Sequence, residues 1–140
     1  MNGMDLVSFA VASGLVVLIW MVQLLLYPSF NFYSKQNLVS WHTSYTPRIT
    51  FIVAPLMLIQ LAVAVFRIYI DLRLHYVLFA TLVAAAWLVT FFVFIPMHSK
   101  IQEGGASDML MSRLVNLNWS RTLIWSAIFL LECWHLYEIL

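Results

Sequence analysis

Four apolar runs constrain this chain more than anything else in it. They cover residues 6–27, 49–66, 76–97 and 122–140. A helical crossing of a bilayer needs about 20 predominantly apolar residues. In hydrocarbon a backbone must satisfy its own hydrogen bonds, so such runs are helices unless they close into a barrel. The alternation a barrel strand needs is absent. The reading is an all-α, four-transmembrane-helix up-down bundle, with residues 1–140 as a single integral membrane domain. Composition agrees: 64% of residues are hydrophobic and 9% charged, against about 25% charged in soluble domains. A net charge of +1 excludes a nucleic-acid footprint. The lone cysteine, Cys133, sits in an apolar run and reads as packing. The first run is expected to be a retained helix rather than a signal peptide, because "MNGMDL" carries Asp5 and no basic residue.

The connections are unequal. Residues 67–75 read as a tight link, whereas 28–48 and 98–121 are longer and fall on one common side. Both long links carry helical extensions. Leu38, Trp41, His42, Tyr45, Ile49 and Ile52 recur at helical spacing, so the second helix is expected to start near Ser34. "EGGASD" breaks the chain at Gly104–Gly105. Ser107 or Asp108 then caps a helix with Met109, Leu110, Leu114 and Leu117 on its apolar face, continuing into the fourth span. The long links hold Lys35, Arg48, Lys100, Arg113 and Arg121, against Arg67 and Arg73 in the short one. The positive-inside rule then puts the long links in the cytoplasm, with a bacterial inner membrane as the expected location.

Polar groups gather at the long-link end. Each helix sends at least one there: Gln23 from the first, His42, Tyr45 and Arg48 from the second, His98 from the third, and Asn118, Arg121 and Trp125 from the fourth. Ionisable groups at membrane depth are costly and read as functional. His42, His98 and Arg121 are the candidate catalytic groups, and Gln23, Tyr45, Arg48, Asn118 and Trp125 the candidate ligand-binding ones. Deeper in, Gln60 and Glu132 fall at similar depth and are expected to pair across the bundle, with Glu132 protonated by burial. His42 and His98 are also candidate haem or metal ligands, although no paired-histidine spacing accompanies them. Two arginines, an asparagine and a tyrosine beside apolar helices suit the oxygen of a quinone, an aromatic compound or a lipid.

"FIPMHSKI", followed after a short link by "LNWSRTLIW", resembles the ending of a small four-helix membrane family that includes anthrone-oxygenase-like proteins. Pro96, Asn118, Arg121 and Thr122 are the matching positions; His98 stands where that family shows asparagine. "YPSF" at 27–30 and "WHTSYTPRI" at 41–49 are similar to a bacterial subgroup of unassigned function. The resemblance implies a four-helix membrane protein and cofactor-free oxidation of an aromatic substrate. Three function classes are compatible with these features: a membrane protein binding, and in its enzymatic form oxidising, a hydrophobic small molecule; an accessory subunit of a larger membrane complex; and a transporter or channel built as a homo-oligomer. The lipid bilayer is a partner in all three.

Overall fold

A computed structural model describes residues 3–140. It contains four long helical runs: α1 (Gly3–Phe32), α2 (Lys35–Ile70), α3 (Leu74–Gln102) and α4 (Asp108–Ile139). No strand occurs among the described residues. Three of the four, α1 to α3, are long and apolar enough to cross a membrane. α4 is less apolar, because polar side chains are spaced along its buried face.

The helices outrun the apolar windows at both ends. At about 1.5 Å per residue, the 36 residues of α2 reach well beyond a hydrocarbon layer of about 30 Å. The two extensions form where local chemistry starts them. The Ser34 side chain accepts from the Asn37 amide at 3.3 Å, and the Ser107 side chain accepts from the Leu110 amide at 3.2 Å. Each satisfies one of the donors left open at a helix start. On the extension of α4 the buried residues are Met111, Leu114 and Asn118, while Met109 and Leu117 face outward. Between α3 and α4 the chain stops helically: Gly104 has φ +84°, and the Gly104 and Gly105 amides donate back to the Ile101 and Lys100 carbonyls at 3.1 and 2.9 Å. This is a Schellman C-cap, and its left-handed residue favours glycine. The short link is tighter than expected. It spans only 71–73, which leaves Arg67 inside α2 and His75 inside α3.

Short connections make chain neighbours pack side by side. α1 lies against α2 and α4, and α3 also lies against α2 and α4, so the contacts close a ring. Ala12, Leu15, Met57, Ala64, Phe79, Val83, Ala86 and Ile128 fill its middle, each nearly or fully buried. The outward residues are apolar as well: Val17, Leu24, Phe51, Leu58, Val65, Leu88, Phe92, Leu123 and Leu130 are all exposed. Polar side chains instead collect inside, at the two ends of this core.

Two wide turns shape the long-link end. Residues 22–26 of α1 and 90–94 of α3 form single π-turns, each succeeded by a proline, Pro28 and Pro96. Proline has no amide hydrogen, and its ring clashes with the carbonyl four residues back. One wider turn moves that carbonyl aside and lets the helix continue. It also rotates the rest of the helix about its axis, which sets the direction of Tyr27, Phe94 and His98.

Candidate ligand pocket and a second polar cluster

At the long-link end a chain of hydrogen bonds crosses all four helices. Arg121 Nη1 lies 3.4 Å from the Tyr27 hydroxyl, which is 3.0 Å from His98 Nε2. His98 Nδ1 is 2.7 Å from His42 Nε2, and His42 Nδ1 is 3.2 Å from the Thr46 hydroxyl. Thr46 in turn donates to the His42 carbonyl at 2.7 Å. A guanidinium can only donate and a carbonyl can only accept. With the ends fixed in this way, one arrangement leaves no donor unused. Arg121 donates to Tyr27, Tyr27 to His98 Nε2, His98 Nδ1 to His42, and His42 Nδ1 to Thr46. Both imidazoles are neutral in that arrangement, and each carries its hydrogen on Nδ1.

Behind this chain stands a clamp between α1 and α4. Gln23 Oε1 accepts from Asn118 Nδ2 at 2.9 Å and from the Thr122 hydroxyl at 3.3 Å, while Gln23 Nε2 donates to the Val115 carbonyl at 3.2 Å. Asn118 Oδ1 accepts from Arg121 Nη1 at 3.5 Å. The Gln23, Asn118, Arg121 and Thr122 side chains are all buried. Their amides are occupied with one another, so the clamp orients Arg121 and does not itself line a cavity.

The cavity lies beside it, between α1, α2 and α3 with Arg121 and Trp125 of α4 also in its wall, and has a volume of about 350 Å³. Its walls are apolar: Leu15, Ile19, Val53, Met57 and Phe91 contribute to them. One end is polar, where Tyr27, Tyr45, Thr46, His98 and Arg121 meet. The Arg121 guanidinium carbon sits 4.4 Å from the Phe94 ring centre and 5.1 Å from that of Trp125. Arg121 is only 9% exposed. Among the described residues no carboxylate lines the cavity, and none is within ion-pairing distance of Arg121. Three buried donors around this space have no partner among the described residues: Arg121 Nε, the Trp87 indole and the Thr90 hydroxyl. Arg121 is therefore a buried cation with no counter-charge among these residues, at the polar end of an apolar hollow.

The expected site residues divide accordingly. Tyr45, His98, Arg121 and Trp125 reach the cavity. His42, Gln23 and Asn118 are buried behind it as relay and clamp. Arg48 points outward and is exposed, so it leaves the candidate ligand set. Its helical interval from Tyr45 is right, but His42 and Thr46 take the inward face of that stretch. The haem or metal role of His42 and His98 does not fit this geometry either. Two nitrogens on one metal at about 2.0–2.1 Å stand roughly 3.3 Å apart in a tetrahedral site and about 4 Å apart across an iron. Here they face each other at 2.7 Å and share a hydrogen. Among the described residues no group of three or more ligating side chains is placed to hold a metal.

Gln60 and Glu132 do not pair. Gln60 accepts from the Trp125 indole at 3.3 Å. Glu132 belongs to a second cluster at the short-link end. Arg67, wholly buried, donates to both Glu132 oxygens at 2.6 and 3.2 Å and approaches Asp5 at 3.4 Å. Glu132 thus accepts from a guanidinium as a carboxylate, in place of the expected protonated acid. The Arg67 guanidinium also lies over the rings of Phe79 and Tyr76, at 4.9 and 5.3 Å. Tyr27, Thr46, Trp87 and Thr90 in the first site, and Asp5, Arg67, His75 and His135 in the second, were not among the expected site residues. The signal for Arg67 was present, since Gln60 and Arg67 are two helical turns apart on one face.

No family model, curated protein or solved structure matches the chain.

Proposed function

We propose that the chain is an integral membrane protein whose four helices form a transmembrane bundle, and that it binds a hydrophobic molecule bearing an oxygen acceptor, such as a quinone or a phenolic aromatic compound. α4 joins the other three in the bilayer on this reading. Its polar residues Asn118, Arg121, Thr122, Glu132 and His135 are all buried, while Leu123, Leu130, Trp134 and Tyr137 face out. The long links lie in the cytoplasm, as the basic residues suggest.

One observation carries the ligand reading: Arg121 is a buried cation without a carboxylate beside it, at the polar end of an apolar cavity. Burying a charge without compensation is costly. A ligand oxygen would compensate it. The cavity offers almost nothing to neutralise a ligand cation. Volume and lining suit an aromatic or quinone body, with its oxygen between Arg121, Tyr27 and His98. In that place Tyr27 and His98 are the groups that can exchange a proton with the ligand, and the chain through His42 holds their orientation. The resemblance to anthrone-oxygenase-like proteins points to the same class of aromatic molecule.

The test uses the indoles that line the site. A short-chain benzoquinone should quench tryptophan fluorescence of the detergent-solubilised protein saturably, and an alkylbenzene of equal length should not. Hydrogen bonds to a charged group contribute about 1.5–3 kcal/mol, so Arg121→Gln should weaken the quinone by roughly tenfold to a hundredfold. Non-saturable quenching, identical in parent and variant, would mean partition into the micelle and would remove the reading.

A further inference from the structure

The cavity beside Arg121 is shut on two sides and open on a third. Leu15, Ile19 and Val22 of α1 and Arg121 and Trp125 of α4 are buried where they line it. The exposed members of its lining all belong to α2 and α3: Thr50 on α2, and Phe91, Ile95, Ser99 and Gln102 on α3. Its mouth therefore lies between these two helices. α2 touches α3 along residues 74–89 and again along 95–102, which frames the mouth around the π-turn at 90–94. On the α3 edge Trp87 and Phe91 stack, with ring centres 5.4 Å apart and planes 18° from parallel. On the α2 edge stand Thr50, Val53 and Ala54, whose short side chains leave the gap open.

We propose that the ligand is a membrane-resident molecule with a long apolar chain, its oxygen-bearing ring inside the cavity and its chain leaving between α2 and α3 into the bilayer. This rests on the ligand reading above and adds the class: an alkyl- or isoprenoid-tailed quinone or phenol. Depth is the first argument. Thr50 belongs to the apolar run 49–66, and Phe91 and Ile95 to the run 76–97, so in a membrane the mouth opens sideways into hydrocarbon. Ser99 and Gln102 mark its outer edge, towards the headgroups. Direction is the second. Arg121 comes from α4, which takes no part in the mouth, so a ring oxygen held there points its far side towards the opening. Size is the third. About 350 Å³ is near the lower limit of small-molecule sites, which is room for a ring and leaves a long chain to continue outside. A chain that stays in lipid keeps its apolar surroundings, and the molecule enters and leaves without crossing water.

The experiment uses the full chain in phosphatidylcholine nanodiscs, with a short-chain and a decyl benzoquinone as probes and tryptophan quenching as the readout. Thr50→Phe puts a ring in the mouth. It should weaken the decyl quinone by about tenfold or more, the scale of a steric clash, and the short-chain quinone by less than about twofold. Val17→Phe, on the outward face of α1, should change neither. A decyl quinone with a diazirine at the end of its chain should label the parent protein at Phe91 and Ile95, and spare Val17 and Leu130 on the other outward faces. That labelling stands by itself if Thr50→Phe fails to fold. Saturable binding with both probes affected alike by Thr50→Phe, or a label spread evenly around the bundle, would overturn the inference and leave the ligand reading in place. Absence of saturable quenching by either probe would remove both.

Discussion

Arg67→Met is the most severe single change the structure points to. Methionine keeps an unbranched apolar stem against Phe79 and Tyr76 and removes only the guanidinium. The loss includes two hydrogen bonds to Glu132, at 2.6 and 3.2 Å, and the approach to Asp5 at 3.4 Å. The larger effect is the pair of buried carboxylates left behind without this cation. Removing one partner of a buried pair costs about 3–5 kcal/mol, mostly through the charge that remains. Folded proteins hold only about 5–15 kcal/mol in total, so this one substitution takes a large share. The assay is reversible unfolding in mixed micelles with increasing SDS, followed by far-UV circular dichroism. Arg67→Met should lower the unfolding free energy by about 3 kcal/mol or more. Adding Glu132→Gln should recover part of that loss, by roughly 0.5–3 kcal/mol, as expected for side chains in direct contact. A single variant within about 0.5 kcal/mol of the parent, or a double variant as poor as the sum of the two singles, would refute the argument.

The same geometry sets four other outcomes. Gln23→Leu leaves Asn118 Nδ2 without its acceptor, while the Thr122 hydroxyl keeps the Asn118 main-chain carbonyl, and should cost about 1–3 kcal/mol in the same unfolding assay. Gly104→Ala forces a side chain into a backbone with φ +84° and should cost about 1–2 kcal/mol, with no effect on quinone quenching. Arg48→Ala, on the exposed face, should leave both stability and quenching within about 0.5 kcal/mol of the parent. Native mass spectrometry of the parent should find a co-purified small molecule, and Arg121→Gln should lose it.

The sequence made the helices legible because hydrocarbon leaves a backbone few choices. The helix starts near Ser34 and at Ser107 or Asp108, and the break at Gly104, are readable for a similar reason: each depends on residues adjacent in the chain. The gathering of Gln23, His42, His98, Asn118 and Arg121 at one end was readable from depth alone. Depth does not give direction around the helix axis, however. Arg48 and Arg121 sit at equal depth, yet one faces out and the other in. The π-turns before Pro28 and Pro96 add a further rotation, so simple helical spacing does not give the direction of Tyr27. The second cluster is hidden in the sequence because the helices continue past the ends of the apolar runs. By those runs alone, Arg67 and His75 belong to a link and Asp5 to an N-terminal flank. Once α2 is continued to Ile70, Met57, Gln60, Ala64 and Arg67 form one inward stripe.

Photoaffinity labelling tests the central claim most directly. A photoreactive benzoquinone is activated in the presence of the solubilised protein, and the modified peptides are mapped. Labels should fall on cavity-lining residues such as Met57, Thr90 and Phe94, and an excess of unlabelled quinone should suppress them. Labels spread over the outward residues Val17, Phe51 and Leu88, undiminished by competitor, would contradict a binding cavity organised around Arg121.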